Sequence, residues 1–228
     1  MRSGLTRVVV VIPAHDEEQL LPACLDALGL AAVRSPVPVD VLVVLDACRD
    51  ATAATALAGG AEILAVEGRN VGAARAAGAA EALAGAVPAR TWLACTDADT
   101  RVPPYWIERQ LDHADRGADV VTGTVQVDDW AEWPSDTTTA YLAAYRRGVT
   151  GDRHPHVHGA NLGLTGAAYL RAGGFPPIRT SEDRALVRAA ERAGLRVARA
   201  TDVPVLTSAR RSARASGGFS DHLHDLTG

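Results

Sequence analysis

Lysine is missing from this sequence. All 23 basic residues are arginine, and with 27 acidic residues they leave a formal net charge of −4 at pH 7. Mechanisms that need a Schiff-base lysine or a phosphate-binding lysine are therefore excluded, and arginine is the only permanent cation available for phosphate oxygens. Because the net charge is slightly negative, we expect no general attraction to nucleic acid and no nucleic-acid partner.

Cysteine is scarce. Cys24, Cys48 and Cys95 lie far apart, their number is odd, and the sequence contains no C-x-x-C pair. We therefore expect neither a disulfide framework nor a zinc ribbon, and a reducing cytoplasm is the location that fits best.

Long apolar runs are also missing. Residues 8–12 form a run of five apolar residues, which is too short for the core of a signal peptide, and no stretch approaches the length of a transmembrane helix. We expect no integral membrane segment, which excludes a processive polymer exporter with its own channel. Hydrophobic residues nevertheless make up 47% of the 228 residues, which predicts a packed globular core in one domain.

The first half of the sequence alternates between strand and helix patterns. Apolar runs and helically spaced apolar residues predict, in order, strand 8–12, helix 17–30, strand 39–45, helix 50–57 with Asp50 as its N-cap, strand 63–66, helix 71–84 and strand 91–96. Repeated βα units of this kind predict an α/β fold with a mostly parallel central sheet flanked by helices.

The second half is less regular. Its patterns predict helix 106–115, strand 119–127, helix 137–147, strand 158–165, helix 182–193 and strand 196–201. From residue 208 onward the chain is rich in serine, arginine and glycine, which indicates a flexible basic tail or a loop ordered by ligand. We accordingly divide the domain into a regular half at about 1–127, a less regular half at about 128–207, and a flexible basic tail at 208–228.

Two carboxylates, Asp97 and Asp99, follow the fourth predicted strand. Positions two apart in extended backbone project to the same side, so the pair would lie together at a strand end, where open α/β folds bind ligands. Close like charges are unfavourable unless a proton or a cation relieves them, and a hard divalent ion shared with substrate phosphates would do so. The spacing suggests a metal–diphosphate site. The structural alternative is a turn with aspartate caps before Pro103 and Pro104.

Six segments, taken together, resemble the family 2 glycosyltransferases, which have the GT-A nucleotide-sugar-binding fold. They come in that family's order: VVIPAHDE at 10–17, VVLDACRDAT at 43–52, GRNVGAAR at 68–75, DAD at 97–99, GANLG at 159–163 and SED at 181–183. The resemblance covers residues 8 to about 193. It implies a single GT-A domain of the nucleotide-diphospho-sugar transferase superfamily. By the same resemblance, the half at about 1–127 would bind the nucleotide and the half at about 128–207 would hold the acceptor and the catalytic residues.

The resemblance places the donor nucleotide on loops at the ligand edge of the sheet. Glu17 would contact ribose or base, Asp46 would accept a hydrogen bond from a ring N–H of uracil or guanine, and Asn161 would bind a sugar hydroxyl. The family's usual Asp-Asp pair is Leu45-Asp46 here, which weakens inference about the base. The implied donor-binding residues are Pro13, Ala14, Glu17, Asp46, Asn70, Arg75, Asp97, Ala98, Asn161 and, in the tail that would close over the diphosphate, Arg211.

These residues also have structural interpretations. Glu17 suits the first turn of a helix, and Asp46 suits a turn. Asn70 is expected to cap the third helix, where Gly72 would let a ligand approach the backbone closely. Arg75 is explained equally well as an exposed solubilising charge.

The resemblance also implies a cofactor, Mn²⁺ or Mg²⁺. Asp99 would ligate the ion that bridges the diphosphate, Asp97 would orient ribose or metal-bound water, and His222 is a candidate further ligand. The ion would neutralise the charge that builds up on the departing nucleoside diphosphate.

Asp183 is the candidate general base, because SED at 181–183 resembles the family's acidic pair before its late helix. An inverting transfer needs one carboxylate to take the proton of the acceptor hydroxyl. Glu182 is the alternative base or the residue that orients Asp183. Both acids also suit the first turn of any helix.

Histidine and tryptophan clusters complete the set of candidates. His154, His156 and His158 would share one side of a strand, as a metal cluster requires, but the proline after His154 argues against a regular strand. We expect them to line the acceptor pocket or to be exposed. Trp130 and Trp133 would stack on an acceptor or anchor their loop to the core.

The sequence therefore predicts a soluble, metal-dependent glycosyltransferase. It would move a hexose from a UDP- or GDP-linked donor to an acceptor hydroxyl, with inversion favoured and retention the close alternative. A sugar nucleotidyltransferase is disfavoured because its Gly-rich first loop and lysine signature are missing, and a non-catalytic sugar- or nucleotide-binding module remains the other alternative. A homodimer is compatible with the sequence.

Overall fold

The structure, a computed structural model, describes residues 4–210. Its strands are β1 (Arg7–Ala14), β2 (Val39–Asp46), β3 (Glu62–Val66), β4 (Thr91–Cys95), β5 (Thr100–Arg101), β6 (Val120–Val127), β7 (Leu162–Thr165) and β8 (Val197–Thr207). Its helices are α1 (Leu21–Val33), α2 (Thr52–Ala58), α3 (Val71–Leu83), α4 (Trp106–Asp115), α5 (Ser135–Arg147), α6 (Gly166–Arg171) and α7 (Glu182–Arg192), with 3₁₀ turns at Pro88–Arg90 and Gly159–Asn161. No helix within residues 4–210 has the length and apolar character needed to cross a membrane.

The strands form one sheet in the order β3-β2-β1-β4-β7-β6-β8-β5. Six of the eight strands in the described part of the chain point the same way, and β5 and β7 run against them. The predicted α/β domain with a mostly parallel sheet is therefore confirmed. The division into halves at residue 127 stays a prediction.

Helices cover both faces of the sheet, which explains the unbroken apolar run of β1. Val8, Val10 and Ile12 enter the core cluster that also contains residues of α1 and α4. Val9 and Val11 enter the opposite cluster, with residues of α3 and α7. A parallel strand buried on both faces has no solvent side on which polar residues could alternate. The carboxyl ends of β1, β2 and β4 therefore lie along one edge.

The first helix starts later than predicted. Instead of opening a helix, Glu17 and Glu18 belong to a loop whose backbone N–H groups are bound to the next βα loop. The Glu17 N–H donates to Thr52 Oγ1 at 2.7 Å, and the Glu18 N–H donates to Asp50 Oδ2 at 3.1 Å. α1 then begins at Leu21 with Pro22 in its first turn, the one place where a helix tolerates proline.

Helix α2 also starts later than predicted, at Thr52. Asp50 is therefore not the N-cap residue, although its Oδ1 accepts the N–H of Thr52 at 3.0 Å. A third difference concerns the predicted strand 158–165, which is a 3₁₀ turn followed by the shorter strand β7. Strand β5 and helix α6 were not predicted.

The last strand is longer than predicted. β8 continues past residue 201 to Thr207, because its pairing with β6 skips from Gly123–Ala200 to Val125–Val205 and accommodates Pro204 in the irregular stretch. Residues 208–210, where we predicted the start of a flexible tail or of a loop ordered by ligand, contact the rest of the domain. Ala209 is buried, and its carbonyl accepts a hydrogen bond from Trp133 Nε1. Residues 211–228 lie outside the described residues.

Candidate functional site: an acidic edge held by two arginines

Strained backbone marks the carboxyl edge of the sheet. Within residues 4–210, the non-glycine residues with positive φ are Asp16 (53°), Ala47 (55°), Arg69 (44°) and Ser181 (62°). They lie after β1, after β2, before α3 and immediately before α7. Such backbone is unfavourable for residues with a Cβ atom, and it clusters at functional sites because surrounding contacts hold it there.

Asp46, at the end of β2, holds the loop that leads into α3. Its Oδ1 accepts the N–H of Arg69 at 2.6 Å, and its Oδ2 accepts the N–H of Asn70 at 2.7 Å. His15 Nδ1 lies 2.6 Å from the Asp46 carbonyl, and His15 Nε2 lies 2.8 Å from the Arg69 guanidinium. Because arginine only donates, Nε2 accepts and the proton of His15 is on Nδ1. Asp46 therefore orders the predicted nucleotide loop.

The sequence around Asn70 folds as expected, with one correction. Asn70 caps α3, since its Oδ1 accepts the N–H of Ala73 at 3.1 Å. The approach at Gly72 is made by the protein itself, because a Cβ atom there would lie 2.3 Å from the Pro176 carbonyl oxygen and 2.5 Å from that of Ile178. Gly72 thus admits the segment before α7 to the surface of α3, where a ligand was predicted.

Arg75 joins the predicted donor acids to the predicted catalytic acids. Its guanidinium contacts Asp97 Oδ1 at 2.5 Å, Glu182 Oε1 at 3.1 Å and the Gly159 carbonyl at 3.1 Å. Its side chain is 3% exposed, so the alternative of an exposed solubilising charge is wrong. Burial acts to lower the pKa of Arg75, but the Asp97 and Glu182 carboxylates more than offset it, and the guanidinium stays charged.

A second arginine, Arg210, lies on the other side of the acidic pair. Its guanidinium forms a two-pronged ion pair with Glu17 and lies 3.3 Å from Asp99 Oδ2. Burial and then the Asp97 carboxylate raise the pKa of Asp99 to about 6, although Arg210 opposes the shift. The Asp97–Asp99 pair thus carries the charge conflict that its spacing predicted, and an internal cation relieves part of it.

The two acids that open α7 have different surroundings. Glu182 is 5% exposed and faces Arg75, and burial raises its pKa. Asp183 is less enclosed, and its Oδ1 accepts the N–H of Arg184 at 2.6 Å. Burial also raises the pKa of Asp183. A carboxylate whose pKa is raised binds a proton more strongly, which suits a general base.

Residues predicted to hold a metal are only partly brought together. Asp97 and Asp99 share the edge, whereas His222, like the predicted donor-binding Arg211, lies outside residues 4–210. Within that part of the chain, no group of three or more His, Cys, Asp and Glu side chains is arranged to hold a metal ion. Ala14 and Ala98 are buried and Pro13 is half-buried at the ends of β1 and β4, so their backbone atoms border the edge.

Comparison with known protein families shows which family the chain belongs to. The profile described as glycosyl transferase family 2 matches residues 9–172. The chain belongs to that family. It is a glycosyltransferase of the nucleotide-sugar class, and the motifs at 10–17 and 97–99, which form the edge described above, fall inside the matched region. No curated protein matches the chain.

Solved glycosyltransferases share the fold of this family member. TarS 1–349 from S. aureus, in complex with UDP-GlcNAc, superposes with a TM-score of 0.68 at 14% identity, over 97% of this chain and 64% of that one. The mannosyltransferase PcManGT from Pyrobaculum calidifontis, in complex with GDP-Man and Mn²⁺, gives 0.67 at 20% identity, over 92% and 59%. Glucosyl-3-phosphoglycerate synthase from Mycobacterium tuberculosis, in complex with phosphoglyceric acid, gives 0.62 at 20% identity, over 99% and 77%. The GT-A fold is therefore confirmed, and the chain spans about two thirds of the length of such structures.

Asn161 of this glycosyltransferase faces the protein. Its Nδ2 donates to the Thr124 carbonyl at 2.8 Å and the Val203 carbonyl at 2.6 Å, and its Oδ1 accepts from Trp106 Nε1 at 2.9 Å. Both amide hydrogens are taken, so no N–H remains for the predicted sugar contact. Asn161 links β6, β8 and α4 beneath the site.

His156 lines a cleft beside α7, whereas Trp130 and Trp133 pack with Tyr141 of α5. The rings of His154, His156 and His158 stack in a row, with Tyr145 3.8 Å from the His156 ring. They share one side, as predicted, but His154 is buried and its Nε2 lies 3.1 Å from each of the Thr122 and Ala200 carbonyls. Trp133 is buried against Tyr141, which favours the anchoring role.

Three contributors were not assigned from sequence. His15 orients the first loop, Thr52 holds Glu17, and Arg210 pairs with the acids, although the arginine-rich tail had suggested closure over a diphosphate. His15 lies inside the VVIPAHDE motif, which was the available signal. Nothing in the spacing of Arg210 indicates its partner Glu17, 193 positions away.

Proposed function

We propose that this glycosyltransferase transfers a hexose from a UDP- or GDP-linked donor to an acceptor hydroxyl, with inversion and with the help of a divalent cation. The observation that carries the proposal is the double contact of the buried Arg75, which holds the partly exposed Asp97 on the donor side and the buried Glu182 on the catalytic side. This contact fixes the distance between the end of β4 and the start of α7. A transfer needs that spacing, because donor and base must act on one bond.

Asp183 is the base in this proposal. Its carboxylate takes the proton of the acceptor hydroxyl while the hydroxyl oxygen attacks the anomeric carbon from the face opposite the diphosphate. Glu182 is committed to Arg75 and therefore positions the start of α7. The raised pKa of Asp183, caused by burial, supports this assignment.

Asp99 and Asp97 would hold the divalent cation. Two observations support the fit: carboxylate oxygens are the ligands that Mn²⁺ and Mg²⁺ prefer, and Asp99 already faces a cation in the form of Arg210. When bound, the cation supplies positive charge to the diphosphate leaving group. Arg210, released from Asp99, would remain within reach of the same edge as a second positive charge.

We also propose a cytoplasmic location. Cys24, Cys48 and Cys95 are all free, which suits a reducing compartment. Burial raises the pKa of Cys95 to about 11, so this thiol stays protonated and structural at neutral pH.

Nucleotide binding tests the donor proposal. Thermal unfolding is measured with UDP, GDP, ADP or CDP, each with Mn²⁺, with Mg²⁺ or with a chelator. UDP or GDP with a cation should raise the unfolding temperature, since a ligand at 100 times its Kd adds about 2.7 kcal/mol to the native state. Asp99→Asn should abolish the cation-dependent part, and Asp112→Asn, on the exposed side of α4, serves as the control. No response to any nucleotide would refute the proposal.

Turnover tests the base. Asp183→Asn should reduce turnover by about 100-fold or more while donor binding remains. The anomeric configuration of the product, determined by NMR, tests inversion. Near-normal turnover of Asp183→Asn would remove Asp183 as base, and a retained configuration would overturn the inverting mechanism.

A further inference from the structure

A basic cleft runs along α7, away from the acidic edge. It has a volume of about 310 Å³ and lies between α7, the segment 155–157 and the start of β8. Its charged and titratable lining residues are Arg184, Arg188, Glu191, Arg199 and His156. We refer to it as the α7 cleft. Three arginines against one glutamate give it a positive charge in a chain whose net charge is −4.

Two of the three arginines form no ion pair in the part of the chain that the structure describes. Arg199 contacts Glu191 at 2.7 Å and donates to the Pro155 carbonyl at 2.9 Å, so its charge is matched by a neighbour. Within residues 4–210, neither Arg184 nor Arg188 forms an ion pair within 4.0 Å. Both are exposed toward solvent at the cleft.

Arg184 and Arg188 are placed where their charges lower the stability of helix α7. Arg184 and Arg188 are like charges four residues apart, which destabilises a helix. Arg184 also lies in the first turn of α7, where the helix dipole favours negative charge. A bound anion would relieve both conflicts. Arginine is suited to this task because its planar fork pairs with two oxygens of a phosphate or carboxylate.

His156, on the opposite wall of the cleft, would respond to a bound anion through its pKa. His156 stacks on Tyr145 and its Nε2 donates to the Tyr145 carbonyl at 2.9 Å, so the neutral ring carries its proton there. Burial lowers the pKa of His156, and the charge of Arg184 lowers it further. The positive field of Arg184 therefore reaches across the cleft, and an anion placed between them would weaken that effect.

The α7 cleft begins beside the proposed base. Arg184 directly follows Asp183, and its charge acts on the Asp183 carboxylate as well as on His156. The cleft on the other side of the site, beside Asp99, is unsuited to an anion because Asp99, Asp128, Asp129 and Glu132 line it against Arg101 and Arg210. In the part of the chain that the structure describes, the α7 cleft offers a basic surface to an acceptor whose hydroxyl meets Asp183.

We propose that the α7 cleft binds an anionic group, a phosphate or a carboxylate, on the acceptor that Asp183 deprotonates. Arg184 and Arg188 pair with the anion, and its other end presents the hydroxyl to the site. The acceptor part of this inference rests on the proposed function. The anion site itself is a property of the cleft and is testable without donor.

Inorganic phosphate is the first probe. Wild-type protein without nucleotide or metal is titrated with phosphate while the ring resonances of His156 are followed by NMR. Phosphate should raise the pKa of His156 and shift its ring signals in a saturable way. Arg188→Ala should weaken phosphate binding by about tenfold, as expected for the loss of one charge-assisted pair of about 1.4 kcal/mol.

Arg192→Ala is the matched control, because Arg192 is exposed on the same helix and does not line the cleft. It should bind phosphate like the wild type. Equal weakening by both substitutions would mean general attraction to a basic helix and would overturn the site. An unchanged His156 signal at saturating phosphate would overturn it as well.

Two further arms identify the source of the anion. Vesicles of phosphatidylcholine with and without phosphatidic acid distinguish a lipid-borne phosphate from a free one: capture only by the phosphatidic acid vesicles, lost in Arg188→Ala, assigns the anion to a lipid. Nucleotide-induced thermal stabilisation is measured on the same samples. Phosphate binding without nucleotide binding would refute the donor proposal and leave the cleft, whereas the converse would refute the cleft alone.

Discussion

The acidic edge at the ends of β1, β2 and β4 and the α7 cleft, which we propose as the donor wall and the acceptor wall of the site, handle charge in opposite ways. On the donor wall, every acid described above has a partner: Asp46 holds backbone N–H groups, Asp97 contacts Arg75, and both Glu17 and Asp99 face Arg210. On the acceptor wall, neutral histidines stack beside two arginines that form no ion pair within residues 4–210. The acids of the donor wall therefore have partners within the protein before any ligand binds, whereas the acceptor wall carries excess positive charge.

The two arginines of the donor wall also differ from each other. Arg75 is 3% exposed and lies within a helix, so its contacts are part of the core. Arg210 is 24% exposed and stands three residues after the end of β8. Buried charges that lose their partner are costly, whereas a partly solvated pair exchanges partners at small cost. Arg75 thus maintains the architecture, and we propose that Arg210 is the cation that a ligand replaces.

The largest effect is expected from breaking the inner pair. Arg75→Ala should lower the free energy of unfolding by about 3–5 kcal/mol, because it leaves the Asp97 and Glu182 carboxylates together without a counter-charge. Reversible urea denaturation measures this loss. Combining it with Glu182→Gln should recover part of the stability, and a loss below about 1 kcal/mol would show that Arg75 is no more structural than Arg210.

The next largest effect is expected from acid, which should lower the free energy of unfolding through His158 on the acceptor wall. Burial lowers the pKa of His158 to about 3, and His156, Arg184 and His154 add to the shift. The unfolded chain takes up a proton on this residue below about pH 6.5 while native His158 stays neutral. The contribution of His158 to stability is therefore full above that pH and falls by up to about 1.4 kcal/mol per unit as the pH decreases toward 3. Urea denaturation between pH 7 and pH 4.5 measures the slope. His158→Gln should flatten it, and identical slopes would contradict the assignment.

Removing the replaceable cation has a smaller effect and the opposite sense. Arg210→Ala should tighten binding of Mn²⁺ to the nucleotide-free protein by about five- to tenfold, near 1 kcal/mol, since the ion no longer competes for Asp99. Isothermal titration calorimetry measures it. Arg101→Ala, which removes an arginine from the same cleft but one paired with Asp128, is the control. Weaker Mn²⁺ binding in Arg210→Ala would mean that the arginine supports the ion.

The smallest predicted effect is a gain. Arg188→Ala should stabilise the ligand-free protein by about 0.2–0.5 kcal/mol, because alanine keeps helix propensity and removes repulsion with Arg184. Thermal unfolding in phosphate-free, low-salt buffer measures it, and added phosphate should cancel the gain. A clear loss of stability without phosphate would place Arg188 among the structural arginines and remove the contrast between the two walls.

Sequence patterns predicted the regular parts of the molecule well. Helix α4 has the predicted bounds, and β1, β2 and α3 differ from prediction by a few residues at most. These elements have strong periodicity and clear ends, such as the Asn70 cap of α3. The start of α1 was misplaced because Glu17 and Glu18 have helical propensity, yet their N–H groups bind a loop more than 30 positions away.

The acids of the candidate site and Arg75 were named from the sequence, whereas the partners of its arginines were not. Asp97, Asp99 and Asp183 belong to short motifs that can be recognised in the sequence without knowledge of the fold. The partners of Arg75 and Arg210 cannot be recognised in this way, because Glu182 lies 107 positions from Arg75 and Glu17 lies 193 positions from Arg210. Such pairs arise when the sheet brings distant loops to one edge, and a local pattern contains no trace of them. The second part of strand β8 was likewise missed, because Pro204 signals a strand end unless a bulge accommodates it.

The left-handed bends at Asp16, Ala47, Arg69 and Ser181 have a consequence for engineering. Each is a position where glycine relaxes the chain, so a selection for heat tolerance alone should enrich glycine at these bends. The loops that contain those bends would then lose their fixed conformation, and the thermostable variants would have low activity. Engineering for thermostability should therefore keep these four positions unchanged and vary residues on the exposed faces of the helices.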